Sequence, residues 1–239
     1  MQKNIIVTGK PKSGKSTLLN KVISSIPNKI GFVTNEVRVD EKRIGFELQT
    51  HIGSRAMLAS VDFNSPYKVS KYFVDIKNLE SIIPEVSNFS SNDFLYLDEI
   101  GQMELFSEKF KELVNKYLNS PNTCIATLSY IFEDNLTKSI KERDDVILVE
   151  ITAENRENKE QFITQLIKKI GKAKNYINEP DRFIFKDSEV ELRSEHGVRK
   201  LTFQDGNWNC VCDFYKQYGI CSHIIATKEF VKLNKLKNR

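Results

Sequence analysis

A nine-residue segment near the N-terminus has the spacing of a phosphate-binding loop. It consists of Gly9, Lys10, Pro11, Lys12, Ser13, Gly14, Lys15, Ser16 and Thr17, and so matches the pattern G-x-x-x-x-G-K-[ST]. The two glycines permit a tight backbone path whose N–H groups converge on phosphate oxygens. Lys15 would reach the β- and γ-phosphates, and the Ser16 hydroxyl would bind Mg²⁺.

An acidic pair, Asp98 and Glu99, follows the apolar run 94–97. This pattern predicts a buried parallel strand with two carboxylates at its C-terminal end, where open α/β sheets bind ligands. Asp98 suits the role of the Mg²⁺ carboxylate, either as a direct ligand or as a partner of the ligands. Glu99 could orient and deprotonate a water molecule near the γ-phosphate. The alternative is that the pair ends a strand on its solvent side.

Three cysteines and a histidine lie close together near the C-terminus, as Cys210-x-Cys212 and, eight residues later, Cys221-x-His223. Three thiolates and one imidazole make a tetrahedral zinc set without an open position, which predicts a structural site. The alternative is three unrelated reduced cysteines near a histidine. Cys124 lies alone in an apolar segment and is predicted to be a buried thiol without chemistry.

Strands alternate with helices around the phosphate loop and the acidic pair. This order predicts an α/β protein, a three-layer sandwich on a mainly parallel sheet. The predicted strands are 4–8, 29–34, 43–49, 55–59, 71–74, 94–97, 123–128 and 146–151, and the predicted helices begin after the loop and cover 78–89, 107–118, 132–141 and 158–170.

The chain of 239 residues is long enough for one large domain and one small domain. We expect a nucleotide-binding domain over 1–171, a polar linker over 172–180 and a small zinc-binding β+α module over 181–239. In the module, alternating patterns predict strands at 182–185, 189–193 and 200–203. Because so short a segment has a thin core, bound metal would contribute to its folding.

The composition is that of an ordinary globular protein, with 40% hydrophobic and 28% charged residues. No apolar run approaches the roughly 18 residues that a membrane span needs. The N-terminus leads directly into a predicted strand, so we expect no signal peptide and a cytoplasmic location.

The net charge of +4 arises from residues 172–239, which contain 13 basic and 9 acidic residues. Much of this surplus lies in a basic tail made of Lys228, Lys232, Lys235, Lys237 and Arg239. Such a tail favours an anionic partner such as a nucleic acid, or it is simply the solvated end of a helix.

Several further segments resemble one family of P-loop nucleoside-triphosphatases, first named from a thermophile. The segment 31–38, G-F-V-T-N-E-V-R, and the segment 98–110, which begins D-E-I-G-Q-M-E-L, are similar to its signatures. The resemblance covers about residues 1–160. It implies Mg²⁺-dependent hydrolysis of nucleoside triphosphates (ATP, GTP and others) to diphosphate and phosphate, with broad tolerance of the base.

Glu36 and Arg38 match a family motif just after the second strand, so the resemblance places them near the γ-phosphate. A structural ion pair is the alternative role for these two residues. The chain departs from the family pattern at 126–130, where a histidine is expected soon after the strand. That departure leaves open which polar group follows this strand.

The pattern C-x-C…C-x-H, followed by an apolar helical segment at 224–227, resembles the SWIM-type zinc finger over about residues 182–232. This resemblance implies a module that binds nucleic acid or protein.

Two other functions remain open at this point. The first is a nucleotide-gated switch, in which slow hydrolysis times the binding of nucleic acid or protein. The second is a nucleotide kinase, since such kinases share the phosphate loop.

Overall fold

The structure is a computed structural model that describes residues 1–186 and 189–237, without the side chains of 235–237. The described chain divides into two compact units. One unit is Lys3–Gln161. The other combines Met1–Gln2 with the chain from Phe162 onward. Arg239 of the predicted basic tail lies outside the described residues.

A nine-stranded sheet forms the centre of the Lys3–Gln161 unit, in the order β5-β6-β4-β3-β2-β7-β8-β1-β9. Its strands are β1 Asn4–Thr8, β2 Lys29–Val39, β3 Lys42–Thr50, β4 Arg55–Ser60, β5 Lys68–Val69, β6 Tyr72–Val74, β7 Phe94–Ile100, β8 Cys124–Leu128 and β9 Val146–Glu150.

The sheet is mixed, so the expectation of a mainly parallel sheet is corrected. Strands β2, β7, β8, β1 and β9 pair in parallel, whereas β3, β4, β6 and β5 continue the sheet by antiparallel pairing. The physical reason is the two-residue turn at Asp40 and Glu41, both with positive φ, which returns the chain as a hairpin. A hairpin joins antiparallel neighbours, while a parallel pair needs a longer crossover.

The helices up to residue 177 are α1 Lys15–Ser24, α2 Ile76–Val86, α3 Glu108–Asn119, α4 Asn135–Glu142 and α5 Arg156–Ile177, of which α5 crosses from the first unit into the second. Side-chain caps set the N-terminal ends of α2, α3 and α4: Asp75 caps α2, Ser107 caps α3, and Asp134 caps α4 in a capping box. Helix α2 therefore begins before the predicted Asn78, and it ends two residues after Pro84.

Helix α5 continues through residues 172–177, which the sequence analysis assigned to a linker. Ala173 and Tyr176 are buried and extend the apolar face of the helix beyond the predicted end at Ile170. The helix stops three residues before Pro180, because the residue before a proline avoids the helical conformation. The polar composition of this segment is that of the exposed helix face.

The second unit contains a four-stranded antiparallel sheet, with β10 Phe183–Lys186, β11 Glu189–Ser194, β12 Gly197–Gln204 and β13 Asn207–Cys210. The short helix α6, Asp213–Tyr218, and helix α7, Ser222–Lys237, follow. Phe183 stacks on Phe230 at 4.2 Å, and Ile224 and Ile225 are buried. Strand β13 and helix α6 were not predicted, since four and six residues carry little periodic signal.

Gly31 of β2 lies where a side chain would collide with the neighbouring parallel strand. A Cβ atom at this position would lie 1.8 Å from the main-chain oxygen of Tyr96 on β7. Because β7 carries the acidic pair, the absence of a side chain at Gly31 fixes how closely β2 approaches the candidate site.

We expect Gly31→Ala to destabilise the protein by about 3 kcal/mol, since the added methyl group meets backbone that cannot move aside cheaply. Gly171→Ala is the matched control: its Cβ meets nothing within 4 Å, and alanine favours the helix by about 0.5–1 kcal/mol. Urea unfolding followed by circular dichroism measures both. Equal midpoints for Gly31→Ala and the parent would contradict the close packing of β2 on β7.

Candidate active site

The loop after β1 takes the path that the sequence pattern predicts. Gly14 adopts a left-handed conformation, with φ 89°, and is the N-cap of α1. At Gly9 a Cβ atom would lie 2.3 Å from the main-chain oxygen of Ile151, so only glycine fits. Lys15 Nζ donates to the main-chain oxygen of Gly9 at 3.0 Å, which folds the lysine back over the loop. Free amide groups at the start of α1 and a nearby ammonium group together favour phosphate.

Asp98 lies at the C-terminal end of β7, fully buried beside the loop. Its Oδ1 accepts hydrogen bonds from Ser16 Oγ at 3.1 Å and from Thr127 Oγ1 at 2.6 Å. The Thr34 hydroxyl donates to the main-chain oxygen of Asp98. Burial raises the pKa of the Asp98 carboxyl, while these hydrogen bonds and the charge of Lys15 act in the opposite direction.

The second carboxylate oxygen of Asp98, Oδ2, is buried and has no hydrogen-bond partner among the described residues. A buried acceptor left without a partner is costly, so it indicates a missing ligand. Carboxylate and hydroxyl oxygens are the ligands that Mg²⁺ prefers, and Asp98 and Ser16 lie within hydrogen-bonding distance of each other. The residues present therefore fit a Mg²⁺ ion.

Glu99 follows Asp98 on β7 and lines the same cavity as the loop. Burial raises the pKa of its carboxyl, Lys15 lowers it, and Asp98 adds a smaller increase. A carboxylate with a raised pKa is a stronger base than an exposed glutamate. The position and the environment of Glu99 therefore suit proton abstraction from water.

Glu104 is a second buried glutamate beside Glu99, and the sequence analysis assigned it no role. It is 5% exposed, and burial together with the charge of Glu99 raises its pKa to about 8. A Cβ atom at Gly101 would lie 3.1 Å from Glu104 Oε2 and 3.4 Å from Glu99 Oε1, so the two carboxyl groups flank this glycine. The only sequence signal for Glu104 is its place in the segment D-E-I-G-Q-M-E-L.

The loop and the acidic pair open into one cavity of about 1270 Å³. Its near end contains Lys15, Ser16, Asp98 and Glu99. Other lining residues lie on β2, on β3 and at the start of β6, and we call them the distal wall: Glu36, Arg38, Arg43, Phe46, Lys71 and Tyr72. All of these residues belong to the Lys3–Gln161 unit.

Glu36 and Arg38 form an ion pair, which was one of the two roles considered for them. Arg38 and Arg43 both donate to the Glu36 carboxylate, one to each oxygen. Hydrogen bonds from these arginines lower the pKa of Glu36. Because the group also lines the cavity, the ion pair and a position facing bound phosphate are compatible.

Two further contacts concern residues that the sequence analysis did not single out. Thr127 of β8 supplies a hydroxyl to Asp98, so this strand contributes a polar group to the site although no histidine follows it. On the other side of the loop, a Cβ atom at Gly14 would lie 2.5 Å from a guanidinium nitrogen of Arg156. Arg156 therefore lies directly against the loop.

The Cys/His cluster is a candidate metal centre in the second unit. The Sγ atoms of Cys210, Cys212 and Cys221 and a ring nitrogen of His223 all lie within 4.8 Å of one another. Cys210 ends β13, Cys212 is the N-cap of α6, and Cys221 precedes α7, so three elements meet here. Three thiolates and one imidazole at these distances fit Zn²⁺.

Cys124, His51 and His196 do not join the cluster. Cys124 is fully buried in β8, as predicted, and burial raises the pKa of its thiol to about 12, which disfavours the reactive thiolate.

Among the described residues, no helix is both long and apolar enough to cross a bilayer.

Comparison with known proteins agrees with this geometry. Residues 4–164 match the protein family described as NTPase. The chain is 40% identical over 166 residues to nucleoside-triphosphatase THEP1 of Thermotoga maritima, which covers 69% of this chain and 95% of that protein. It is 33% identical over 175 residues to the human cancer-related nucleoside-triphosphatase, with 65% and 92% covered.

A solved structure shows the same fold. The crystal structure of THEP1 from Aquifex aeolicus superimposes with a TM-score of 0.63 at 33% identity, and the match covers 69% of this chain and 99% of that one. The P-loop fold predicted for this part of the chain is therefore confirmed. The chain belongs to the NTPase family, whose members include the THEP1 nucleoside-triphosphatases.

Proposed function

We propose that the protein hydrolyses nucleoside triphosphates, ATP and GTP among them, to the diphosphate and phosphate in a Mg²⁺-dependent reaction. The observation that carries this proposal is the cavity in which the phosphate loop, the unpartnered Asp98 oxygen and the Glu99 carboxylate face one another. The relatives named as nucleoside-triphosphatases support it.

Each residue of the near end has a separate role in this reaction. The loop amides from Gly9 to Thr17 hold the phosphate chain, and Lys15 leaves the Gly9 oxygen to neutralise charge on the β- and γ-phosphates. Asp98 and Ser16 would hold Mg²⁺, and the ion would supply positive charge that lowers the repulsion between the phosphates and the attacking water. Glu99 accepts a proton from the water whose oxygen bonds to the γ-phosphorus as the diphosphate leaves.

We expect Lys15→Ala to abolish turnover, and Glu99→Gln to bind nucleotide normally but to hydrolyse it at least about 100-fold more slowly, since a general base contributes that much. Phosphate release measures turnover, and binding of a fluorescent nucleotide measures affinity. Glu112→Gln, on the exposed side of α3, is the matched control. A rate for Glu99→Gln equal to that of the parent would remove the role of Glu99 as base.

The role of Asp98 can be tested separately from catalysis. Asp98→Asn keeps the shape of the side chain but removes the charge that Mg²⁺ binding requires. We expect the Mg²⁺ concentration for half-maximal ATP hydrolysis to rise at least about tenfold. An unchanged Mg²⁺ titration would show that the unpartnered oxygen of Asp98 is not a metal ligand.

We also propose that the Cys/His cluster holds one structural Zn²⁺ ion and that the C-terminal unit is a SWIM-type module for binding nucleic acid or protein. The cluster joins β13, α6 and α7, so bound metal would stabilise the whole unit.

Lys228 and Lys232 of the basic tail lie on α7 and support an anionic partner. A gel shift with labelled single-stranded DNA, repeated at increasing salt, tests that partner.

We expect the purified protein to contain one equivalent of zinc by elemental analysis, and Cys212→Ser to lose most of it. The loss should lower the melting temperature, since metal binding contributes folding free energy. Cys124→Ala is the control, because Cys124 lies outside the cluster and should leave the zinc content at one equivalent. Zinc retained in full by Cys212→Ser would contradict a four-ligand site.

A further inference from the structure

The order of strands indicates which end of a bound triphosphate faces the distal wall. The loop follows β1, Asp98 lies on β7, and β2 and β3 lie beyond β7 in the sheet. In P-loop enzymes the acidic strand lies beside the β- and γ-phosphates. On the proposed function, the γ-phosphate therefore points toward β7, and the distal wall lies beyond it, away from the nucleoside.

The cavity is larger than a typical site for one small ligand. Its volume is about 1270 Å³, whereas sites for a single drug-sized ligand have roughly 300–1,000 Å³. The triphosphate would occupy the near end, against Lys15 and Ser16. Room for a second chemical group remains in front of the distal wall.

The charges of the distal wall favour an anion. Arg38 and Arg43 share one carboxylate, that of Glu36. Lys71 Nζ donates to the main-chain oxygen of Arg43 at 3.1 Å, which is a neutral acceptor. Three cationic side chains and one carboxylate leave a surplus of two positive charges, and phosphate is the ligand that such a cluster of arginine and lysine binds well.

The distal wall also presents aromatic rings. The guanidinium carbon of Arg43 lies 4.9 Å from the centre of the Phe46 ring and 5.5 Å from that of Tyr72. The two rings meet edge to face at 5.1 Å. Tyr72 is buried and Phe46 half-buried, so the surface left open to a flat ring is the guanidinium group of Arg43, which the two rings hold in place.

We propose that the distal wall is a second binding site, beyond the γ-phosphate, for a phosphate ester that carries an aromatic ring, as a nucleotide does. The near end and the distal wall then hold two phosphate-bearing groups at the same time. A ligand that joins two nucleosides through a long phosphate chain should bind both sites at once.

The test measures the affinities of three probes by calorimetry in the presence of Mg²⁺. The protein is the full chain with the substitution Glu99→Gln, which slows hydrolysis. The probes are ATP, adenosine 5′-tetraphosphate and diadenosine pentaphosphate. The tetraphosphate adds a phosphate group, and the pentaphosphate adds phosphate and a second ring. We expect affinity to increase in that order, with diadenosine pentaphosphate at least about tenfold tighter than ATP, the effect of one charge-assisted hydrogen bond.

Two lysines allow a matched pair of variants. Lys71 and Lys68 are both exposed, and each lies over an aromatic ring, Lys71 at 5.3 Å from Tyr72 and Lys68 at 4.9 Å from Phe73. Of the two, Lys71 lines the cavity. We expect Lys71→Ala to reduce the ratio of pentaphosphate to ATP affinity about tenfold, and Lys68→Ala to leave this ratio unchanged.

Two results would overturn the second site: a pentaphosphate that binds no more tightly than ATP, or equal ratios in the two lysine variants. Equal affinities for the tetraphosphate and the pentaphosphate would overturn the assignment of a ring-bearing ligand.

Calorimetry detects ATP binding whether or not hydrolysis occurs. A protein that binds ATP but releases no phosphate would therefore refute the proposed hydrolysis and not the second site.

Discussion

The candidate site depends on a carboxylate that is buried beside the phosphate loop. Asp98 receives hydroxyl groups from α1 and β8 on one oxygen, while its other oxygen has no partner among the described residues. Removing a carboxylate from water is costly unless the charge is compensated. The surrounding elements supply part of that compensation, and a divalent cation on the free oxygen would supply the rest.

This constraint explains why several strands must meet at one point. Ser16, Thr34 and Thr127 come from α1, β2 and β8, and all three contact Asp98 on β7. The close approach of β2 to β7 at Gly31 brings Thr34 within reach. The packing of the parallel half of the sheet therefore sets the geometry of the site.

The sequence predicted most of this half of the fold, because short apolar strands, clear helix caps and the loop pattern agree there. The loop, the acidic pair and the Cys/His set could be found because each is a local pattern of residue types. Thr34, Thr127 and Arg156 could not, since a threonine or an arginine becomes part of a site only through strand order. Strands β3, β4 and β6 of the antiparallel half were also predicted, whereas the two-residue β5 was not. The sheet was expected to be mainly parallel because a local pattern shows where a strand forms and not in which direction its neighbours run.

Helix α5 has a consequence for how the chain can be divided. Its buried side chains, from Phe162 to Tyr176, belong to the C-terminal unit, where Phe162 contacts Tyr218 and Tyr176 stacks on His223. A fragment cut between these residues and α6 would keep a helix whose apolar stripe has lost the aromatic rings that cover it. Such stripes promote aggregation, so insolubility of a shortened protein would reflect the position of the cut and not an unstable nucleotide-binding unit.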